Sequence, residues 1–356
     1  MAATCTLSTM AQSYNGPESV EYDYANGRWL VANKNSGAIL ARANDGTLTT
    51  FASNFSSSGP YGIEIVGNYL YACANGGTLL KFDLTAGGPP VSSVPLSAAS
   101  FLNGITHDNN GNLFITDFTA KKIYRYNTVS GQYNVFVTGL AKSPNGIWFD
   151  ENQNRCVFVN WGSSAPIMAV SLADSSISTL VNTSLSNCDG ISRDGDGNWY
   201  VSNWGINGIS RFSPDFSVGP TTVVSGLSSP ADIFYNTMSD TLAVPNSGGT
   251  GTNGNTVTFH WFGTATSVQD AGPQNMIDLA VDPAHGLVRC YLDRPGRATL
   301  SFTDASGRVL LSKEIGHPTR GWLSHRIDMS DWQSGIYIAN LNFDGRTVSQ
   351  RFSTLR

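Results

Sequence analysis

The sequence is poor in charged residues and has no long apolar run. Asp, Glu, Lys and Arg make up 13% of its 356 residues, and the net charge at pH 7 is −5, without a basic tract. Nucleic-acid binding needs a basic surface to meet the phosphates, so we predict no nucleic-acid partner. A helix needs about 20 apolar residues to cross a bilayer, and no stretch approaches that length. We therefore predict no membrane-spanning helix.

Cysteine is scarce, and several catalytic motifs are missing. The five cysteines form no Cys-x-x-Cys pair, which argues against a structural zinc site. We expect Cys73 and Cys156, which lie in apolar strands, to be buried as small apolar side chains. The sequence also lacks a Gly-x-Ser-x-Gly nucleophile elbow and a phosphate-binding loop, so serine-hydrolase and nucleotide-binding functions have no support.

A repeat dominates the first three quarters of the chain. A tight turn leading into an aliphatic residue occurs six times, and the aliphatic residues are Val20, Ile63, Ile105, Ile147, Ile191 and Ile233. Subtracting successive numbers gives spacings of 43, 42, 42, 44 and 42 residues, a period typical of propeller blades. Each repeat reads as about four short strands without helical periodicity. The pattern predicts an all-β fold with a six-bladed β-propeller in residues 1–265, the last blade being completed by a strand from residues 1–15.

Two polar positions recur in every repeat. The first and second strands of a blade form an antiparallel hairpin, so the start of one strand lies beside the end of the other. Both positions should therefore meet at one mouth of the central channel. We call them the first ring (Glu18, Tyr61, Asn103, Asn145, Asp189 and Ala231) and the second ring (Asn33, Asn75, Asp117, Asn160, Asn203 and Asn246).

The first ring varies more than a turn alone would require. Glu18, Asn145 and Asp189 offer only oxygen ligands, which suit a hard divalent cation. The motifs contain no Lys or Arg, so two converging carboxylates would need a cation or a proton for charge balance. We predict a divalent-metal site, with Ca²⁺ as first choice and Mg²⁺, Mn²⁺ or Zn²⁺ as alternatives. Asn and Asp before Gly are also favoured turn residues, so a purely structural role stays open.

The same positions carry a family resemblance. Glu18, Asn103, Asn145-Gly146 and Asp189-Gly190, in this order and at equivalent places in the repeats, resemble the SMP-30/gluconolactonase family. More loosely, residues 16–262 resemble NHL-type six-bladed propellers. The resemblance implies that Glu18, Asn145 and Asp189 bind the metal and that Asn103 contacts the metal or the substrate.

The activity implied by this resemblance is lactone hydrolysis. The metal would polarise the carbonyl and help to form hydroxide from water, and Asp189 would be the general base. In the family an Arg often precedes the position of Asn103 and holds the sugar, whereas this chain has Phe101-Leu102 there. The substrate is therefore less well specified than the metal.

Three further sites are weaker candidates. Trp161 and Trp204 follow second-ring residues in consecutive repeats and could stack on a substrate ring, or pack between blades. His107 lies four residues after Asn103 and could act as an acid or base, or be a hydrogen-bonded structural residue. The stretch from Asp194 to Asn198 looks like a calcium loop but lacks the distal Glu of an EF-hand, so we predict a turn.

The pattern changes near residue 264. Residues 276–356 contain about seven short strands, which predict a small β-sandwich. The stretches Asp282-Pro283-Ala284, Thr303–Arg308 and Gly335-Ile336-Tyr337 resemble the type IX secretion sorting domain. This resemblance implies the type IX machinery as a partner and a secreted or cell-surface location. Residues 1–5 lack the basic and apolar regions of a signal peptide, so the sequence as written predicts none.

Two hypotheses about function follow. The first is an exported, divalent-metal-dependent hydrolase of lactones or related cyclic esters. The second is a non-catalytic NHL-like propeller that binds a glycan, a peptide or a partner protein at the channel mouth, because a fold does not determine function. A strictosidine-synthase-like enzyme is a third and weaker interpretation, because its chemistry needs a channel Glu that the sequence does not place.

Overall fold

The computed structural model describes residues 12–53, 59–248, 254–262, 277–283, 286–292, 296–316 and 321–354. These residues form strands and turns, with one turn of 3-10 helix at Glu151–Gln153, which confirms the predicted all-β class. Within the described ranges, no helix is long and apolar enough to cross a membrane. The chain divides into two compact units, and the larger one ends at Phe262. The predicted boundaries at 265 and 276 lie outside the described residues.

The described residues of the larger unit form six antiparallel sheets, which are consistent with the six sequence repeats in number and order. The first three are β1 (Pro17–Asp23) to β4, β5 to β8 and β9 to β12, with β2 (Arg28–Asn33), β3 (Ala38–Arg42), β4 (Leu48–Ser53), β5 (Ile63–Val66), β6 (Tyr69–Ala74), β7 (Thr78–Asp83), β8 (Ser92–Pro95), β9 (Leu102–His107), β10 (Asn112–Asp117), β11 (Lys122–Asn127) and β12 (Tyr133–Val137).

The other three sheets follow the same consecutive order along the chain. Their strands are β13 (Ser143–Asp150), β14 (Arg155–Trp161), β15 (Ile167–Ser171), β16 (Ile177–Val181), β17 (Cys188–Arg193), β18 (Trp199–Asn203), β19 (Gly208–Phe212), β20 (Thr221–Val224), β21 (Phe234–Asn236), β22 (Thr241–Asn246) and β23 (Thr256–Trp261). The last sheet has three strands among the described residues. The completing strand predicted from residues 1–15 falls mostly on residues 1–11, outside those ranges.

The smaller unit contains two antiparallel sheets, with the strand orders β24-β25-β28 and β27-β26-β29-β30. Its strands are β24 (Ile277–Asp282), β25 (Leu287–Leu292), β26 (Ala298–Asp304), β27 (Val309–Gly316), β28 (Gly321–Arg326), β29 (Gly335–Phe343) and β30 (Arg346–Thr354). Alternate residues of β26 and β29, among them Leu300, Phe302, Ala339 and Leu341, are buried in one apolar cluster. This alternation is what a two-layer sandwich requires, because only one face of each sheet meets the core.

The first strands of neighbouring sheets approach each other very closely around the channel. Four of the six first-ring residues are followed by glycine, at Gly62, Gly104, Gly146 and Gly190. A β carbon at Gly104 would lie 2.5 Å from the carbonyl oxygen of Asn145, and one at Gly146 would lie 2.6 Å from that of Asp189. The glycines are therefore required by packing between sheets as well as by the turn.

Where the last sheet meets the first, polar side chains instead of glycines make the contact between the inner strands. Ser19 and Asp232 occupy the positions that glycine holds elsewhere. The Ser19 hydroxyl donates a 2.9 Å hydrogen bond to Asp232 Oδ2, and the Asp232 amide donates one of 2.9 Å to the Glu18 carbonyl. Ser19 is buried and Asp232 is partly buried, so the ring closes through a polar contact that is largely shielded from solvent.

A second tier of contacts lies one step further along the inner strands. The side chain three residues after the first-ring position accepts a hydrogen bond from a backbone amide of the next sheet. The pairs are Glu21 with Ile65 (2.9 Å), Glu64 with His107 (3.2 Å), Thr106 with Phe149 (3.2 Å) and Ser192 with Tyr235 (2.9 Å). Trp148 and Phe234 hold the same position in β13 and β21, and their ring centroids lie 6.2 Å apart. Aromatic side chains therefore occupy the channel below the mouth.

The close approach at Gly146 predicts that even one methyl group is destabilising there. We expect Gly146→Ala to lower the free energy of unfolding by about 1–3 kcal/mol, because the new β carbon meets backbone that cannot move independently. Gly195 is a matched control, since its β carbon would have no neighbour within 4 Å. Denaturant unfolding of both variants measures the difference. Equal stabilities would contradict the packing argument.

The buried closure contact predicts a pH dependence of stability. Burial is the main reason that the pKa of Asp232 is raised to about 7, whereas an Asp in an unfolded chain titrates near 3.9. The folded state therefore keeps its proton to higher pH, and the stability that this provides is lost as pH rises towards and through 7.

We expect wild-type stability to fall relative to Asp232→Asn between pH 5 and pH 8, because the variant has no carboxyl group to ionise. Denaturant unfolding at several pH values measures this gap. Asp215→Asn is the control: Asp215 is exposed, and hydrogen bonds from Ser213 and Ser217 lower its pKa to about 2, so it stays ionised throughout the range. A gap that does not change with pH for Asp232→Asn would refute the prediction.

Candidate functional site

The predicted site residues lie around one pocket at the channel mouth. The pocket has a volume of about 370 Å³, and Glu18, Asn103, Asn145 and Asp189 all line it. They converge because the first strands share one register with the second strands. Pro144 pairs with Asn160, Cys188 pairs with Asn203, and Leu102 pairs with Asp117. In these three hairpins the first-ring residue therefore comes directly after the strand partner of a second-ring residue.

The second ring proves to be structural. Except for Asn75, which is exposed, its side chains are almost completely buried, and most of them accept hydrogen bonds from backbone amides of nearby loops. Asp117 accepts hydrogen bonds from the amides of Ser100 (2.7 Å), Phe101 (3.1 Å) and Ala120 (2.8 Å). Asn246 accepts one from Ser228 at 3.1 Å. These buried acceptors fix the loops that form the rim of the pocket.

The residue that follows the second ring faces the pocket instead. In the third, fourth and fifth repeats it is Phe118, Trp161 and Trp204, and all three line the pocket. With Tyr61 and Phe101 they form a continuous series of edge-on contacts, which we call the aromatic row. The successive centroid distances are 4.6 Å (Tyr61–Phe101), 5.7 Å (Phe101–Phe118), 5.9 Å (Phe118–Trp161) and 5.0 Å (Trp161–Trp204).

In the first and last repeats the residue at this position is polar and contacts Glu18; it is Lys34 in the first repeat and Ser247 in the last. Lys34 Nζ lies 2.7 Å from Glu18 Oε2, and the Ser247 hydroxyl donates to the same oxygen at 2.9 Å. A cationic side chain therefore contacts one of the two carboxylates, although the first-ring motifs themselves contain no Lys or Arg. Lys34 lies outside the first-ring motif, so inspection of that motif alone missed it. Comparing the residue after the second ring across all six repeats would have found it.

We call the four polar first-ring residues that line the pocket (Glu18, Asn103, Asn145 and Asp189) the pocket floor, and two of them, Asp189 and Asn145, lie in unusual surroundings. Burial, followed by the negative charges of Glu18 and Asp232, raises the pKa of Asp189 well above its usual range, and Lys34 opposes this only partly. Asn145 donates from Nδ2 to the Cys188 carbonyl at 3.3 Å. Its Oδ1 is buried and has no hydrogen-bond partner among the described residues.

These donors fit a hard cation in their chemistry, with one competing contact. The set contains two carboxylates and an amide oxygen without a partner, but one carboxylate, Glu18, is already paired with Lys34. In the described part of the chain, no group of three or more His, Cys, Asp or Glu side chains could hold a metal ion. The metal site therefore remains a proposal.

The remaining sequence candidates lie outside the pocket lining. His107 Nδ1 lies 2.5 Å from Glu64 Oε1, in the second tier between neighbouring sheets, which favours the structural interpretation. Asp194 Oδ1 accepts a hydrogen bond from the Asn198 amide at 2.8 Å, so this stretch forms the predicted turn. Cys73 and Cys156 are buried and unpaired, as expected.

Comparison with known proteins bears on the C-terminal unit first. Residues 282–354 match a family model described as a secretion system C-terminal sorting domain. The C-terminal unit is a sorting domain. This confirms the prediction for that unit, and it indicates export or a cell-surface location. No curated protein matches the chain.

Solved structures bear on the larger unit. A streptogramin B lyase aligns with a TM-score of 0.54 and 15% identity, over 72% of this chain and 86% of the other. Virginiamycin B lyase from Staphylococcus aureus aligns with a TM-score of 0.51 and 15% identity, over 70% of this chain and 85% of the other. A chain of a nidogen/laminin complex aligns with a TM-score of 0.52 and 15% identity, over 82% of this chain and 96% of the other. Together with the six sheets, these similarities confirm the β-propeller fold. At such low identity they concern the fold alone.

Proposed function

We propose that this exported propeller binds a small, polar, ring-shaped molecule such as a sugar in the mouth pocket. The observation that carries the proposal is the lining of the pocket, in which the aromatic row and the carboxylate and amide groups of the floor share one cavity. A sugar ring has an apolar C–H face and an edge of hydroxyl groups. The first can stack on Trp161 or Trp204, and the second can exchange hydrogen bonds with the floor.

The size of the pocket favours a small ligand over a protein partner. A volume of about 370 Å³ lies within the range typical of small-molecule sites. The polar groups also offer both kinds of hydrogen bond. Glu18 and Asn145 provide acceptors, while Lys34 and the Asn103 amide provide donors. A molecule with several hydroxyl groups can use both kinds at once.

Removing one ring of the aromatic row should weaken such binding. We expect Trp161→Ala to reduce the affinity at least tenfold, because it removes a stacking surface at the centre of the pocket. The measurement is calorimetric titration with a panel of neutral mono- and oligosaccharides.

Trp261→Ala is the matched control, because Trp261 is 60% exposed on the outermost described strand of its sheet and does not line the pocket. We expect this variant to bind like the wild type. A panel in which no sugar binds, or a Trp161→Ala variant with unchanged affinity, would refute the proposal.

Metal-dependent lactone hydrolysis is a second candidate, and the polar groups of the floor favour it. Glu18, Asn145 and Asp189 are the residues that would hold a divalent cation, which when bound would polarise a carbonyl and acidify water. The Asn145 oxygen without a partner is the atom most in need of a positive neighbour. In this proposal Asp189 would take a proton at the same floor, and the aromatic row would keep bulk water away from the ring.

The hydrolytic candidate predicts a specific loss of activity. We expect Asp189→Ala to reduce lactone turnover at least a hundredfold, since a general base typically contributes 10²–10⁴-fold. Chelation should have a comparable effect on the wild type. Asp174→Ala is the control, because Asp174 is fully exposed and far from the pocket lining. Turnover of sugar lactones that survives both treatments would exclude this mechanism.

A further inference from the structure

Lys34 has no part in either hypothesis drawn from the sequence, yet it contacts the central carboxylate of the pocket. We propose that the Lys34 ammonium and a divalent cation are alternative occupants of one position against Glu18. Lys34 thereby sets the affinity of the pocket for metal ions. The inference rests on the candidate cation site described above, but not on the identity of the ligand or on any reaction.

The contact between Lys34 and Glu18 is close and shielded from solvent. The Nζ–Oε2 distance is 2.7 Å, and the exposed fractions of the two side chains are 25% and 7%. A shielded ion pair of this kind interacts more strongly than a surface pair, because the local dielectric constant is low. Ser247 donates to the same carboxylate oxygen, so Glu18 already has two donors.

A divalent ion and the ammonium cannot both sit at Glu18 without a large electrostatic cost. Carboxylate oxygens bind Ca²⁺ at about 2.3–2.6 Å, so an ion on either oxygen of Glu18 would lie within a few Å of the present Nζ position. Two positive charges at that separation in a partly buried site repel strongly. Entry of the ion therefore requires the ammonium to leave.

Two backbone hydrogen bonds hold the Lys34 main chain in place. The Lys34 amide donates to the Gly16 carbonyl at 2.9 Å, and the Lys34 carbonyl accepts from the Gly59 amide at 3.1 Å. The side chain is a flexible four-carbon stem. The Trp204 ring centroid lies 6.0 Å from Nζ, at the outer limit of a cation–π contact. A displaced ammonium could therefore rest on Trp204 while it remains in the pocket.

The repeats show how unusual this lysine is. The residues that follow the second ring are Lys34, Gly76, Phe118, Trp161, Trp204 and Ser247, and Lys34 is the one charged residue among them. Lys34 is also in the first repeat, which supplies Glu18. Its charge is thus positioned against the residue with which a divalent ion would have to interact.

The test is calorimetric titration of the full-length, chelator-treated protein with CaCl₂ alone. We expect Lys34→Met to bind Ca²⁺ at least tenfold more tightly than the wild type, because the competing charge is removed and the apolar stem is kept. Lys34→Arg should bind as weakly as the wild type. Adding Glu18→Gln to Lys34→Met should abolish the gain, since the freed carboxylate is lost.

Lys121→Met is the control for loss of a positive charge elsewhere. Its Nζ donates to the Ala141 carbonyl at 3.1 Å, and it does not line the pocket. Thermal unfolding checks that each variant is folded, and Lys34→Gln replaces Lys34→Met if the latter is not.

Equal Ca²⁺ affinities in the wild type and the lysine variant, whether tight or undetectable, would overturn the proposal. A gain that persists without Glu18 would overturn it as well. A metal-free sugar titration of the same wild-type sample tests the proposed function separately, so failure of sugar binding leaves the calcium result interpretable.

Discussion

The close packing of the inner strands is the constraint on which the rest of the larger unit depends. A β carbon at Gly104 or Gly146 would overlap the backbone of the next sheet, so only glycine allows these strands to meet. The side chain just before each glycine can then project only towards the mouth. A ring of residues that pack around the axis is thereby turned into a ring of residues that face a pocket. The polarity of the pocket floor is a consequence of this geometry, because Asn and Asp also favour the turn that precedes glycine.

Polar groups in the larger unit have different roles according to how deeply they are buried. Buried carboxylates and amides such as Asp117 and Asn246 are saturated by backbone amides, and they hold the loops in place. The residues that follow them on the rim are then free to vary, and they carry the aromatic row and the two donors to Glu18. Such a division is expected physically, since a buried polar group is costly unless it is hydrogen-bonded. Asn145 and Asn160 depart from it, because the Oδ1 of each is buried without a partner among the described residues.

Local sequence patterns were sufficient to predict the fold and some of the residues that line the pocket. The 42-residue spacing and the Asn-Gly turns predicted the six sheets, because strand register is set by the turn and by the alternation of buried residues. The same register brought Asn103, Asn145 and Asp189 to one mouth. The contact of Glu18 with Ser247 joins residues 229 positions apart, and no local pattern encodes it. Lys34 was missed for a different reason: it lies in the same repeat as Glu18, but one residue beyond the second-ring position, so inspection of the two ring positions did not include it.

The two proposed functions differ in which positively charged group neutralises the two carboxylates, Glu18 and Asp189. Glu18 and Asp189 share a poorly solvated floor, and like charges in such a place cannot both stay ionised without compensation. Lys34 compensates one of them, and the burial of Asp189 favours its protonated form. With these two adjustments the floor is close to neutral, which suits an uncharged ligand with hydroxyl groups. A divalent ion in place of the ammonium and the proton would also neutralise the two carboxylates, and it would add a Lewis acid. The two proposals, sugar binding and lactone hydrolysis, thus correspond to two ways of neutralising one pair of carboxylates, and the proposed competition at Lys34 would decide between them.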